Sequence, residues 1–134
     1  MRLSFVHEEG IDYPVGQLGD IRIYFQHYKT AEEAEESWYR RAKRINRKNL
    51  FLLATDRDGW TDEDFLEFEA LPFRNKVVFT HIKHPEYQSA FYIPGFEDKN
   101  EVGMCMHYVS SKSYKKYYDA FDYVAWFNNG SLEL

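Results

Sequence analysis

Cysteine is nearly absent: Cys105 is the single one in 134 residues. An internal disulfide framework is thereby excluded, and a lone thiol suits a reducing compartment. Long hydrophobic runs are missing as well. No stretch approaches the roughly 20 apolar residues that a bilayer-spanning helix requires. The first residues, "MRLSFVHEEG", hold no apolar segment of signal-peptide length. The chain therefore reads as soluble and cytoplasmic. Excess positive charge is also lacking. The formal net charge is -5, which argues against nucleic-acid binding by bulk electrostatics. There is no internal repeat, linker or low-complexity stretch. Aromatic side chains, in contrast, are plentiful at 19% of the residues. A core built on ring packing accounts for most of them; ring faces that stack on sugars or bases are the alternative.

The length fits one α/β domain over residues 1–134, enough to bury a core. "YPVGQLGD", 13–20, reads as loop because of Pro14, Gly16 and Gly19. "IRIYFQHY", 21–28, is rich in β-formers and reads as a strand. Residues 29–49 predict a helix: Thr30 with Glu33 makes a capping box, acids crowd its start and bases its end. Ala34, Trp38, Ala42 and Ile45 would form its buried stripe. "LFLLAT", 50–55, is a continuous apolar run that fits a strand buried on both faces. A second helix over 61–71 is capped by Thr61 with Asp64 and stops before Pro72. "KVVFTH", 76–81, predicts a third strand, and "SAFYIPGF", 89–96, a fourth short one ending at Pro94 and Gly95. Residues 113–130 predict a closing helix with Tyr117, Phe121, Val124 and Phe127 on one face, ended by Asn129 or Gly130.

Strands alternating with helices predict a small three-layer, Rossmann-like domain. Its sheet would be narrow and mostly parallel, with three to four strands. Such a sheet has edges to cover, by a second copy in a homodimer, by a partner subunit or by a further segment. Ligands of open parallel sheets bind beyond the carboxyl ends of the strands. His27 and Tyr28, then Asp56, Arg57 and Asp58, then Thr80 and His81 follow those ends, so the rim would gather imidazoles, carboxylates, a phenol and a guanidinium. Turn chemistry competes for part of this set: Asp58-Gly59 suits a tight turn and Asp56 can cap it. His27 and His81 each have the ordinary alternative of a satisfied, half-buried histidine.

Asp56 and Asp58 are also a D-x-D pair, the arrangement that holds Mg²⁺ or Mn²⁺ against a diphosphate in many nucleotide-sugar transferases. "FLLATDRDGWT" is similar to the first motif of haloacid-dehalogenase-type phosphatases, in which the first Asp is nucleophile and the second acid/base. Trp60 departs from that motif, and no second acidic pair follows on a later strand. Arg40, Arg44 and Lys48 stand four apart on one predicted helix face, with Arg41 beside them. Such a row suits phosphate oxygens, or is a solvated face. His81 and His84 stand three apart, but Cys105 with Met104 and Met106 does not complete a zinc set. Tyr92 and Phe96 in "YIPGF" offer a stacking platform or a packed Pro-Gly turn.

The strings "YPVGQLGDIRIYFQHY", "EEAEESWYRRAKRIN", "NLFLLATDRDG", "NKVVFTH", "YIPGF" and "YYDAFDYVAWFN" run in this order from Tyr13 to Asn128. In them the chain resembles a bacterial family of unknown function, often encoded among capsule and exopolysaccharide biosynthesis genes. The resemblance implies a longer architecture, with a further N-terminal half around a Cys-Trp-Gly-Gly string, of which this chain would be the C-terminal part or a shortened member. It implies no catalytic residues.

Three functions follow as expectations. The first is a glycan-biosynthesis domain, glycosyltransferase-like, that binds a phosphorylated or nucleotide-activated sugar at the strand ends. Asp56 and Asp58 would hold a divalent cation, Arg57 with Arg40 or Arg44 and Tyr28 would contact substrate, and His27 or His81 would be general base. The second is a non-catalytic module of a polysaccharide assembly complex. The third is a phosphohydrolase with Asp56 as nucleophile.

Overall fold

Gly19 takes a backbone φ of +64°, and a sharp hairpin forms around it. It is the first of two residues between Leu18 and Ile21, which pair across the hairpin, and glycine there suits a II′ turn. The computed structural model describes residues 1–129 and gathers them into two compact units that divide after Lys48. In the first unit, β1 (Ser4–Val6), β2 (Val15–Leu18) and β3 (Ile21–Tyr24) form an antiparallel sheet in the order β1-β2-β3. Two corrections follow. Residues 13–20 are not all loop, since β2 runs through Gly16. The strand expected over 21–28 ends at Tyr24 and lies in an antiparallel sheet, not a parallel one.

Helix α1 (Ala31–Ala42) starts where expected, with the Thr30 hydroxyl accepting from the Glu33 N–H at 3.2 Å. It ends seven residues before the expected limit of 49. Ala42 and Ile45 are exposed, so no buried stripe holds a further turn. Arg40, Arg44 and Lys48 would also repel one another at four-residue spacing. The Asn46 side chain instead accepts the Lys48 N–H at 3.1 Å, a local bond that competes with the helix. The row of bases is therefore not a helix face beyond Arg41. The unit packs around Leu3, Phe25 and Ala34, with Phe5, Ile23, Tyr28 and Trp38 against them.

In the second unit, β4 (Phe51–Thr55), β5 (Asn75–Thr80) and β6 (Ala90–Tyr92) form a parallel sheet in the order β4-β5-β6. The mixed α/β class and a narrow parallel sheet of three strands agree with expectation. The strand buried on both faces is β5, where Val77 to Thr80 are all at most 2% exposed. β4 is an edge strand with Leu53 46% exposed. Helix α2 (Asp62–Ala70) carries the expected capping box between Thr61 and Asp64. Lys76 reaches its far end and donates to the Leu71 carbonyl at 2.8 Å. The β5–β6 connection, 81–89, contains no helix.

The closing helix expected over 113–130 is broken into a 3₁₀ turn (Tyr117–Ala120) and α3 (Tyr123–Asn129). Asp122 causes the break, because its side chain accepts the Ala125 N–H at 2.9 Å and starts a new helix. Gly130 lies outside the described residues. Val124 and Phe127 are exposed, and Trp126 takes the buried place expected of them. Phe121 is the hub: its ring meets Phe79 at 5.3 Å, Phe91 at 5.0 Å, Tyr123 at 4.9 Å and Trp126 at 5.3 Å, all edge-on. The aromatic content is thus largely core. No helix among the described residues is long and apolar enough to cross a membrane.

A Cβ on Gly16 would stand 2.8 Å from both Leu3 Cδ1 and Phe25 Cε2, two buried side chains. Gly16→Val should therefore lower the free energy of unfolding by about 1–3 kcal/mol, read as a lower urea midpoint at unchanged slope. Burial, with the nearby Cys105, Tyr118 and Asp119 charges adding to it, pushes the Tyr123 phenol up to about 12. The fold thus favours the neutral phenol, and that contribution is intact below the ordinary tyrosine value and lost as pH rises towards 12. Urea titrations at rising alkaline pH should show stability falling less steeply in Tyr123→Phe than in the parent chain.

Candidate functional site

The parallel register sets Thr55 opposite Phe79, so β4 and β5 end side by side. Asp56 and His81 follow directly. The Asp56 N–H continues the ladder to the Phe79 carbonyl at 3.0 Å. Its side chain is buried, 6% exposed for the residue. Oδ2 accepts the His81 backbone N–H at 2.9 Å and is also bonded to His81 Nδ1, while Oδ1 accepts the Val102 N–H at 2.7 Å. A carboxylate only accepts, so Nδ1 carries the proton towards it. The imidazole is then held in one tautomer, with Nε2 as its remaining nitrogen.

Asp58 and Gly59 both have positive φ, +61° and +81°, so they form a sharp turn. Aspartate tolerates that conformation better than most residues. The Asp58 N–H donates to Glu101 Oε2 at 2.7 Å, and its own carboxylate is exposed. Arg57 Nη1 makes a weak contact with Met104 Sδ at 3.3 Å. Arg57 Nε is buried without an acceptor, and the guanidinium has no carboxylate partner among the described residues. The three residues of "DRD" thus each touch the loop that carries Glu101, Val102 and Met104. That loop was not legible as part of the site. Val102 takes part through its backbone N–H, which its residue type does not signal.

At the end of β6, Tyr92 bonds to Glu97, and Lys83 Nζ lies 5.7 Å from the centre of the Tyr92 ring. Their bond raises the Tyr92 phenol and lowers the Glu97 carboxyl relative to ordinary values. Phe96 packs on Tyr117 and the core, which fits the packed Pro-Gly turn rather than a platform. His84 bonds to Glu86 at 2.9 Å and lies against Phe65, so the two histidines of "THIKH" serve different partners. No group of three or more His, Cys, Asp or Glu among the described residues is arranged for a metal ion. Both Asp56 oxygens are already engaged, which leaves the exposed Asp58 carboxylate as the freer ligand of the D-x-D pair.

His27 and Tyr28 do not reach this rim by strand order, because β3 belongs to the antiparallel sheet of the first unit. His27 is exposed in a turn closed by the Tyr28 N–H and the Phe25 carbonyl at 3.0 Å. Tyr28 and Arg40 share one partner: the Tyr28 hydroxyl is 2.8 Å from Ser37 Oγ, and Arg40 Nη2 donates to that Ser37 oxygen at 3.3 Å. Arg44 lies past the end of α1.

The profile of the domain of unknown function DUF1919 matches residues 1–128. The chain belongs to the DUF1919 family. An uncharacterized protein of Haemophilus influenzae is 50% identical to this DUF1919 chain over 127 residues, which is 95% of the chain and 61% of that protein. The chain thus spans about three-fifths of the length of this relative. No solved structure matches it.

Asp56→Ala in this DUF1919 chain would leave two backbone N–H groups and an imidazole without their acceptor. We expect a loss of about 2–5 kcal/mol in urea unfolding. Asp58→Ala, which removes an exposed carboxylate, should change stability by no more than about 0.5 kcal/mol. Equal effects of the two substitutions would show that Asp56 is not the hub described.

Proposed function

We propose that this DUF1919 chain binds a phosphorylated or nucleotide-activated sugar beyond the carboxyl ends of β4 and β5, in cytoplasmic steps of exopolysaccharide or capsule biosynthesis. The observation that carries the proposal is His81, fixed by Asp56, whose neighbour in sequence, Arg57, has no carboxylate partner among the described residues. The second unit is then a small three-layer, Rossmann-like sheet, for which ligands belong at that edge. The polysaccharide context comes from the family resemblance of the sequence.

In a glycosyl transfer, an acceptor hydroxyl attacks the anomeric carbon and the bond to the phosphate oxygen breaks. His81 Nε2 would take the hydroxyl proton, and Asp56 would stabilise the imidazolium that forms. Arg57 would offer its unpaired N–H groups to the departing phosphate. Asp58 would face a Mg²⁺ or Mn²⁺ ion held mainly by the phosphates. A phosphohydrolase with Asp56 as nucleophile is the weaker reading, since an attacking carboxylate needs an unengaged oxygen. The non-catalytic module has one observation in its favour: β4 is an edge strand with exposed Leu53, a surface for a partner subunit or a second copy.

A thermal-shift screen of nucleotide sugars and sugar phosphates, with and without Mn²⁺, tests the proposal. A ligand that binds the folded chain must raise its melting temperature. Arg57→Gln should abolish the shift, whereas His81→Gln should keep binding and lose turnover. A screen with no stabilising compound, or a shift indifferent to Arg57→Gln, would remove the basis for a sugar-phosphate site here.

A further inference from the structure

The first unit holds a second feature that the rim does not use. A groove of about 330 Å³ is lined by Phe25, Tyr28, Trp38, Arg41, Ala42 and Ile45. That volume is within the range of small-molecule sites, roughly 300–1,000 Å³. Phe25 meets Tyr28 and Trp38 edge-on at 5.9 and 6.1 Å, which sets the ring walls at right angles. The Tyr28 hydroxyl is already bonded to Ser37. Among the described residues, Arg41 and the Trp38 indole N–H are then the lining polar groups without a hydrogen-bond partner. A sugar or a base would find only these donors and no acceptor beyond the engaged Tyr28 hydroxyl, whereas a hydrocarbon chain would find apolar walls.

The segment that supplies Arg41, Ala42 and Ile45 to the groove is strongly charged. Arg40, Arg41, Lys43, Arg44, Arg47 and Lys48 fall within nine residues with no acid among them, in a chain of net charge -5. All six are exposed, and none is in an ion pair among the described residues. Ile45, 55% exposed, stands between the cations and completes the apolar lining. An apolar slot with Arg41 in its lining and five further cations on the same short segment complements an amphiphile with a hydrocarbon tail and a phosphate head.

We propose that this groove docks a membrane lipid with a phosphate monoester head, its chain against Phe25, Trp38 and Ile45 and its phosphate on Arg41 and the neighbouring cations. The site is independent of the strand-end rim and survives or fails without it.

Co-sedimentation of the full chain with phosphatidylcholine vesicles, with and without phosphatidic acid, tests it. The chain should pellet with the phosphatidic acid vesicles and stay in solution with phosphatidylcholine alone. Arg41→Gln should weaken the partition by about fivefold, as expected for one cation at a charged surface. Ile45→Asn, at an exposed position, should weaken it by about tenfold with no change in melting temperature, whereas Leu66→Asn, equally exposed on α2, should leave it unchanged. Four results would overturn the proposal. They are equal binding to phosphatidylcholine alone, wild-type binding by Ile45→Asn, complete competition by inorganic phosphate, and a dimer by light scattering that binds no vesicle.

Discussion

A buried carboxylate between two strand ends organises the second unit. An ionised side chain removed from water is tolerated only when its oxygens are fully engaged. Asp56 meets that requirement with donors from two separate segments, His81 after β5 and Val102 in the later loop. The parallel pairing of β4 and β5 sets the carboxylate's place. The carboxylate in turn sets the imidazole tautomer and draws the 101–104 loop over the strand ends. With the loop in place, Glu101 receives the Asp58 N–H and Met104 meets the Arg57 guanidinium. The local geometry of "DRD" thus depends on contacts more than 40 residues away.

The same loop explains how a sheet of three strands acquires a core. Val102 joins Val77, Phe79, Ile93, Phe121 and Trp126 in the buried cluster. Gly95 and Gly103 let the chain pass against aromatic rings, since a Cβ at either would stand within 2.6 Å of Tyr117 or Phe96. Large rings meeting edge-on fill the space beside a short sheet with few residues. The high aromatic content and the narrowness of the sheet are two sides of one solution.

What was legible in the sequence was the local chemistry. Thr61 with Asp64 announced α2, "KVVFTH" announced the central strand, and Asp58-Gly59 announced a turn; each depends on neighbours a few residues apart. What was not legible depended on distant partners. Strand β2 hid behind Gly16, whose lack of a side chain is required by Leu3 and Phe25 rather than by a turn. Helix α1 was overextended because charge order and alanine content favour a helix, while exposure of Ala42 and Ile45 removes the packing that would sustain it. The closing helix was overextended because its aromatic periodicity continues through Asp122, whose side chain breaks it. Strand polarity was the costliest miss. β-Propensity identified residues 21–24 as a strand but carried no information on which sheet they join, and the parallel strand ends that one sheet gathers are those of β4, β5 and β6.

The acids of "DRD" have divided their tasks in a way that spacing alone could not reveal. A carboxylate that accepts two backbone N–H groups and an imidazole is poorly suited to attack phosphorus or to wrap a cation, because either task would withdraw it from donors the fold needs. The same bonds suit it to hold a histidine in one orientation. Around the engaged Asp56, His81 keeps one ring nitrogen outside the carboxylate bond, and Arg57 has no carboxylate partner among the described residues. Turn and site are not competing explanations of this stretch. Asp58 and Gly59 make the turn with positive φ, and the same stretch sets the Asp58 N–H on Glu101 and the Arg57 guanidinium against Met104.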